Sequence, residues 1–264
     1  MPGSVVGRRV LRVTVNLGWG LALALVLLLA LGVAASTVGR LDAGRAQVVA
    51  AVRAVVQLAA ISLIITAAVS AWWWAVVFAS AMFAVGVWTT TGRVGVRRSW
   101  PWVALAMACG VLPVMAVIFL TGAAPFTGVS IVALGGIVTG NMMTAHTLFG
   151  RRIFAELRAH RGVYEAGLSL GMSRTLSIGL VIDRLVGEAL VPNLDQTRTV
   201  GLVTLPGAFI GVLLGGGSPL QAGAAQVLVL IGIMAGQALT VTVAAALVRR
   251  VRIIPRDLVA VLHR

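Results

Sequence analysis

No lysine occurs anywhere in the 264 residues; all 21 basic side chains are arginine. That excludes a Walker-type phosphate loop and a Schiff base to pyridoxal or retinal in this chain, because both need a lysine amine. Cysteine occurs once, as Cys109, which excludes an internal disulfide and a cysteine metal cluster. Acids are scarce: Asp42, Glu156, Glu165, Asp183, Glu188, Asp195 and Asp257 are all there are. None falls inside the long apolar stretches, whereas ion-coupled transporters bury a carboxylate that takes the coupling ion. There is no His-Glu-x-x-His helix, and His146, His160 and His263 lie at span ends or in polar segments. An enzyme working inside the membrane is therefore not supported, and no catalytic residue or cofactor is expected on this chain.

What remains is apolar. Hydrophobic residues make up 59% and charged residues 11%, with mean hydropathy +1.04, against about 25% charged in a soluble domain. Four charge-free stretches, 13–39, 54–92, 99–150 and 199–248, hold 27, 39, 52 and 50 residues. A membrane helix takes about 20, so the first holds one span and each of the others two. An all-α protein of seven spans is predicted, at 15–35, 47–69, 72–91, 100–121, 126–147, 200–217 and 224–248, with a polar region over 150–198. The first span reads as an uncleaved anchor rather than a signal peptide, because its apolar stretch is longer than the usual 7–15 residues.

The net charge of +14 would suit nucleic acid, but the arginines sit beside apolar spans and read as an orientation signal instead. The turns at Ser70, at Gly122 to Pro125 and at Gly215 to Pro219 carry no charge, whereas the other connections carry nearly all the arginine. Positive residues stay in the cytoplasm, so the C-terminus is expected inside and the N-terminus outside. Only Arg8, Arg9 and Arg12 argue the other way. Gly207, Gly211 and Gly215, with Gly136 and Gly140, and Gly232 and Gly236, recur every four residues and are expected to let helices approach closely.

Polar groups enter the membrane at two places. Arg53 and Gln57 share a face of span two; they either snorkel to the interface or line a cavity near its inner mouth. In span five Asn141, Met142, Met143 and His146 cluster. Their thioethers and imidazole either pack or touch a soft or borderline metal. In the polar region, Glu165-Ala166-Gly167-Leu168-Ser169-Leu170-Gly171-Met172 is a short, Gly-punctuated apolar stretch. Ser173 is placed to cap a helix over Arg174–Leu190, amphipathic through Leu176, Leu180, Leu185 and Val186, which Pro192 would end.

Four stretches together carry a resemblance: Arg53-Ala54-Val55-Val56-Gln57-Leu58; Gly135 through Met143; Glu165 through Gly171; and Pro192 through Gly207, which includes Thr204-Leu205-Pro206-Gly207. The chain resembles the FetB family of ABC transporter permeases, implicated in iron export and including plant aluminium-tolerance proteins. The third stretch is similar to the cytoplasmic EAA-type loop of bacterial importers. Departures from the family pattern are Arg198 for lysine, Met172 for alanine and Ala225 for tyrosine. The resemblance implies a bacterial inner-membrane permease, two copies of which assemble with two copies of a separate ATP-binding subunit holding ATP and Mg. It also implies coupling through Glu165, Ala166, Gly167, Leu168, Leu170 and Gly171, conformational roles for Pro206 and its neighbouring glycines, and iron as substrate.

Overall fold

A computed structural model of the chain describes residues 18–262. Arg8, Arg9, Arg12, the start of the first expected span at Val15, and His263 lie outside the described residues. The described residues form helices and no named strand: α1 Trp19–Val38, α2 Gly44–Val69, α3 Trp72–Val94, α4 Trp100–Leu120, α5 Gly128–Ala159, α6 Arg161–Ser169, α7 Arg174–Ile182, α8 Val191–Thr199, α9 Gly207–Leu214, α10 Pro219–Arg249 and α11 Arg256–Leu262. A 3₁₀ segment, Asp183–Leu190, joins α7 to α8. Six of the helices, α1 to α5 and α10, are long and apolar enough to cross a membrane. This is an all-α, multi-pass membrane protein.

The chain divides into two units, each described by itself: residues 18–66 with 214–216, and 67–213 with 217–262. In the first, α1 and α2 are joined at a corner where the Gln47 amide donates to Ser36 Oγ at 2.9 Å. In the second, local chemistry sets the helix starts. Thr127 Oγ1 caps α5 by accepting from the Ser130 N–H at 3.3 Å. Ser218 and Gln221 form a reciprocal capping box ahead of Pro219 in α10. Helices α3 and α5 run parallel, since Ala79 faces Gly135, Gly86 faces Thr139 and Val94 faces Gly150. Helix α4 runs antiparallel to α10, with Gly110 against Gly236 and Val114 against Gly232. Met142 of α5 fills the space beside Gly110 and Gly236, and thus joins the two pairs.

Three expectations are corrected. The fifth span does not stop at 147: α5 continues through Arg151, Arg152, Glu156 and Arg158 to Ala159, because nothing in that stretch breaks a helix. The predicted helix Arg174–Leu190 is α7 followed by the 3₁₀ segment, and Pro192 does not end it but sits in the first turn of α8, where its missing N–H costs nothing. The continuous span over 200–217 is absent. The described structure has there only the eight-residue α9, about 12 Å long at 1.5 Å per residue, after a turn in which Gly201 takes φ +82° and donates to the Thr204 carbonyl at 2.9 Å.

That stretch still has a distance to cover. Arg249, ending α10, bonds Asp183, so the 3₁₀ segment and α8 sit at the C-terminal end of α10. Its N-terminal end, at the other end of a 31-residue helix, is about 45 Å distant. Residues 200–218 connect these two ends as a short helix flanked by non-helical backbone. Gly207 and Gly211 have open space where a side chain would stand, so the four-residue glycine spacing there does not reflect packing around those two. Close approaches between the long helices do occur at the expected Gly136, Gly232 and Gly236, and also at Gly86, Gly110 and Gly150; Gly140 has none.

Candidate functional site

At the arginine-rich end of the second unit, α6 and α7 form a helical hairpin. The turn is a Schellman arrangement: the Met172 N–H donates to the Gly167 carbonyl at 3.0 Å and the Gly171 N–H to Leu168 at 2.9 Å. Gly171 takes φ +80° there, a conformation open to glycine because it has no Cβ. Gly167 is buried where the helices meet; a methyl group on it would lie 2.8 Å from Ser177 Oγ. Ser173 caps α7, accepting from the Leu176 N–H at 3.3 Å. Glu165 is exposed and paired with Arg161 at 2.7 Å, one turn back, which leaves its carboxylate at the surface rather than within the backbone cap.

The hairpin and the segment after it are fastened to the long helices. Arg249 pairs with Asp183 at 2.7 Å, Arg152 with Glu188 at 2.9 Å, and Arg184 with Glu156 at 3.2 Å. Ile178, Val181, Ile182 and Leu185 are buried in the same core as Phe149, Phe154 and Val248. One face of the amphipathic segment is thus spent on its own chain. Leu176 and Leu180 are 59% and 53% exposed, and Leu170 is 82% exposed. These leucines, with half-exposed Val163 on α6, give a rigidly mounted hairpin an outward apolar surface.

The membrane candidates fall in different places. Arg53 and Gln57 are exposed on α2 in the first unit. The 550 Å³ hollow of that unit lies one helical end away, bounded by Ser36, Thr37, Arg40, Asp42 and Arg45. Met142 and His146 are fully buried, four residues apart on the inward face of α5, whereas Met143 is half-buried on another side and Asn141 bonds its own helix at the Ile137 carbonyl. Neither ring nitrogen of His146 has a protein hydrogen-bond partner. Among the described residues no three His, Cys, Asp or Glu side chains come together as a metal cluster.

A family model described as an uncharacterised protein family, UPF0014, matches residues 18–252. The chain belongs to the UPF0014 family. The relatives include rice UPF0014 membrane protein STAR2 (Oryza sativa subsp. japonica), 33% identical over 48% of this chain and 45% of that one. Escherichia coli (strain K12) "probable iron export permease protein FetB" is 29% identical over 55% and 56%, and Arabidopsis thaliana "protein ALUMINUM SENSITIVE 3" is 30% identical over 48% and 46%. This UPF0014 chain spans about half the length of the curated relatives it matches. No solved structure matches it.

Sequence reasoning passed over two features of this UPF0014 chain. One is Tyr164, its only tyrosine, fully buried in α6 with its hydroxyl donating to the Leu262 carbonyl at 3.1 Å; burial pushes the phenol pKa up, which keeps it a donor. A single tyrosine beside a Gly-punctuated helix was the available signal. The other is Asp257, whose carboxylate takes both nitrogens of the Arg158 fork at 2.6 and 3.2 Å. That hydrogen bonding holds its pKa below the ordinary carboxylate value. The pair's contribution is thus present above the ordinary aspartate pKa and fades as pH falls through the lowered folded value. Being exposed, it is worth about 0.2–1 kcal/mol.

Proposed function

We propose that this chain is the membrane-spanning permease subunit of an ABC transporter that exports a metal cation, powered by ATP and Mg held on a separate ATP-binding subunit. The observation that carries this is the α6–α7 hairpin: it runs into a 3₁₀ segment ion-paired to the ends of α5 and α10, and its own Ile178, Val181 and Ile182 are buried in their core, yet it offers Leu170, Leu176 and Leu180 outward. A surface helix without a partner gains nothing from exposed leucines next to a glycine turn, whereas a motor subunit with a groove would bury them. The absence of lysine makes the nucleotide site a matter for another chain. Two permease copies with two motors is the assembly that the family resemblance supports. Iron is the substrate favoured by the name of the Escherichia coli relative.

The bacterial inner membrane is the proposed location, with the hairpin and C-terminus in the cytoplasm. Gly95, Arg161 and Arg249 share one end of the second unit, and Ala123 and Ser218 the other. In a Cys109-free background, cysteines at Ser70, Ala123 and Ser218 should react with an impermeant reagent on intact cells, while those at Gly95 and Arg161 should not. Labelling of position 161 from outside would overturn the orientation.

For substrate contact we put forward His146, with Met142 and Met143, as transient soft donors. In support, the His146 imidazole is fully buried and without a protein partner. The test is reconstitution with the partner ATPase and a screen of ATP hydrolysis across metals and small solutes. A variant carrying Met142→Leu, Met143→Leu and His146→Ala should lose metal stimulation and keep basal hydrolysis. Undiminished stimulation would remove these residues from the path.

A further inference from the structure

Helix α10 ends in a Schellman turn of its own: the Arg252 N–H donates to the Leu247 carbonyl at 2.8 Å and the Val251 N–H to Val248 at 2.9 Å. The left-handed place in that turn, which glycine normally takes, is held by Val251 at φ 59°. A β-branched residue there is a genuine outlier, and such strain persists only where the surroundings over-determine it. The residues that follow supply the determination. Ile253, Ile254, Leu258 and Leu262 are all buried in the core that also contains Phe154, Leu157 and Tyr164. Arg252 lies 5.1 Å over the Trp102 ring at the start of α4, and Asp257 is gripped by Arg158 near the end of α5. The last of these contacts is the buried Tyr164 hydroxyl of α6 on the Leu262 carbonyl.

We infer that residues 251–262 are a positioning strap that fixes the coupling hairpin to α10, with Tyr164 and Asp257 as its positioning residues. The inference rests on the ABC reading of the hairpin. The strap is a short mechanical path: α6 holds Leu262, Leu262 belongs to α11, and α11 returns through the strained Val251 turn into α10. Helix α10 in turn packs on α4 and α5 through Gly232, Gly236 and Met142. A displacement of α6 by a motor subunit therefore reaches a long membrane helix through a chain of buried contacts rather than through a slack tail. An apolar C-terminus that merely covered the core would need neither the hydroxyl bond nor the arginine fork.

The test uses the full-length permease co-expressed with its ATP-binding subunit, wild type against Tyr164→Phe with Asp257→Asn. Both changes keep shape and remove one polar contact each. Hydrogen–deuterium exchange over residues 161–169 should rise by about three- to tenfold, the ratio that one buried hydrogen bond carries. At equal membrane abundance and equal recovery of the ATPase, transport per ATP hydrolysed should fall severalfold, and the single Tyr164→Phe variant should lie between. Unchanged exchange in α6 would overturn the strap. So would raised exchange with an unchanged transport-to-ATP ratio, which is the outcome a purely structural role gives. A wild-type chain that recovers no ATPase would overturn the ABC reading itself, and that appears in the wild-type lane before any variant is compared.

Discussion

Leu170→Glu with Leu176→Glu should abolish recovery of the ATP-binding subunit while the permease stays in the membrane at wild-type abundance. Both leucines are exposed, so the folded chain loses no buried contact. Position 176 is the third residue of α7, whose cap is Ser173. A glutamate there completes a capping box and complements the helix dipole, so the helix is if anything reinforced. At an interface the same carboxylates would be buried without partners, a cost of about 3–5 kcal/mol each where they are fully desolvated, which is more than a hundredfold in affinity. Gly171→Asp would be a poorer probe. Gly171 sits at φ +80° in the Schellman turn, so any side chain there strains the hairpin, and lost binding would not separate docking from misfolding. Pull-down at matched abundance decides the matter: full recovery with full transport means that the motor docks elsewhere.

Much of this arrangement could be read from residue types, and the reasons it could are local. Spans two to four match α2, α3 and α4 within three residues at each end because charge-free length, Gly and Ser turns and N-capping act over one or two turns of chain. Ser173 as a cap is the same case. The break in 200–218 does not show in apolar length alone: Gly201 at φ +82° and Pro206 interrupt the stretch and leave an eight-residue helix. What else escaped is tertiary. The outward leucines of α7 could be read from helical spacing, but the second apolar stripe of the same helix, Ile178, Val181 and Ile182, which the core takes, could not. In the candidate site, the residue types of the hairpin were legible, but Tyr164 and Asp257 were not, since their partners lie about a hundred residues away in sequence.

The glycines show the same division and give the second large effect. Gly110→Ala should prevent the chain from folding to a monodisperse, transport-competent state. A methyl group at Gly110 would lie 2.5 Å from the Gly236 carbonyl oxygen and 2.9 Å from Met142 Sδ, with Thr240 Oγ1 also in its way. Two of these neighbours are obstacles of different kinds. The thioether is flexible and can swing, but the carbonyl belongs to the backbone of α10, so relief requires α4 and α10 to separate. Overpacking of this sort costs about 1–3 kcal/mol where side chains can yield, and a backbone clash stands at or above the upper end. Met142→Ala should therefore fail to rescue Gly110→Ala. Gly136 is the control. A methyl group there meets only the terminal carbon of Met82, at 2.8 Å, so Gly136→Ala should be mild and Met82→Ala should restore it. Gly211→Ala, with open space around it, should change little in the isolated chain. Thermal unfolding in detergent, followed by size-exclusion chromatography, ranks the three. A Gly110→Ala protein with wild-type Tm and profile would mean that α4 and α10 do not cross as closely as 2.5 Å implies, and the junction of α4, α5 and α10 through Met142 would lose its basis.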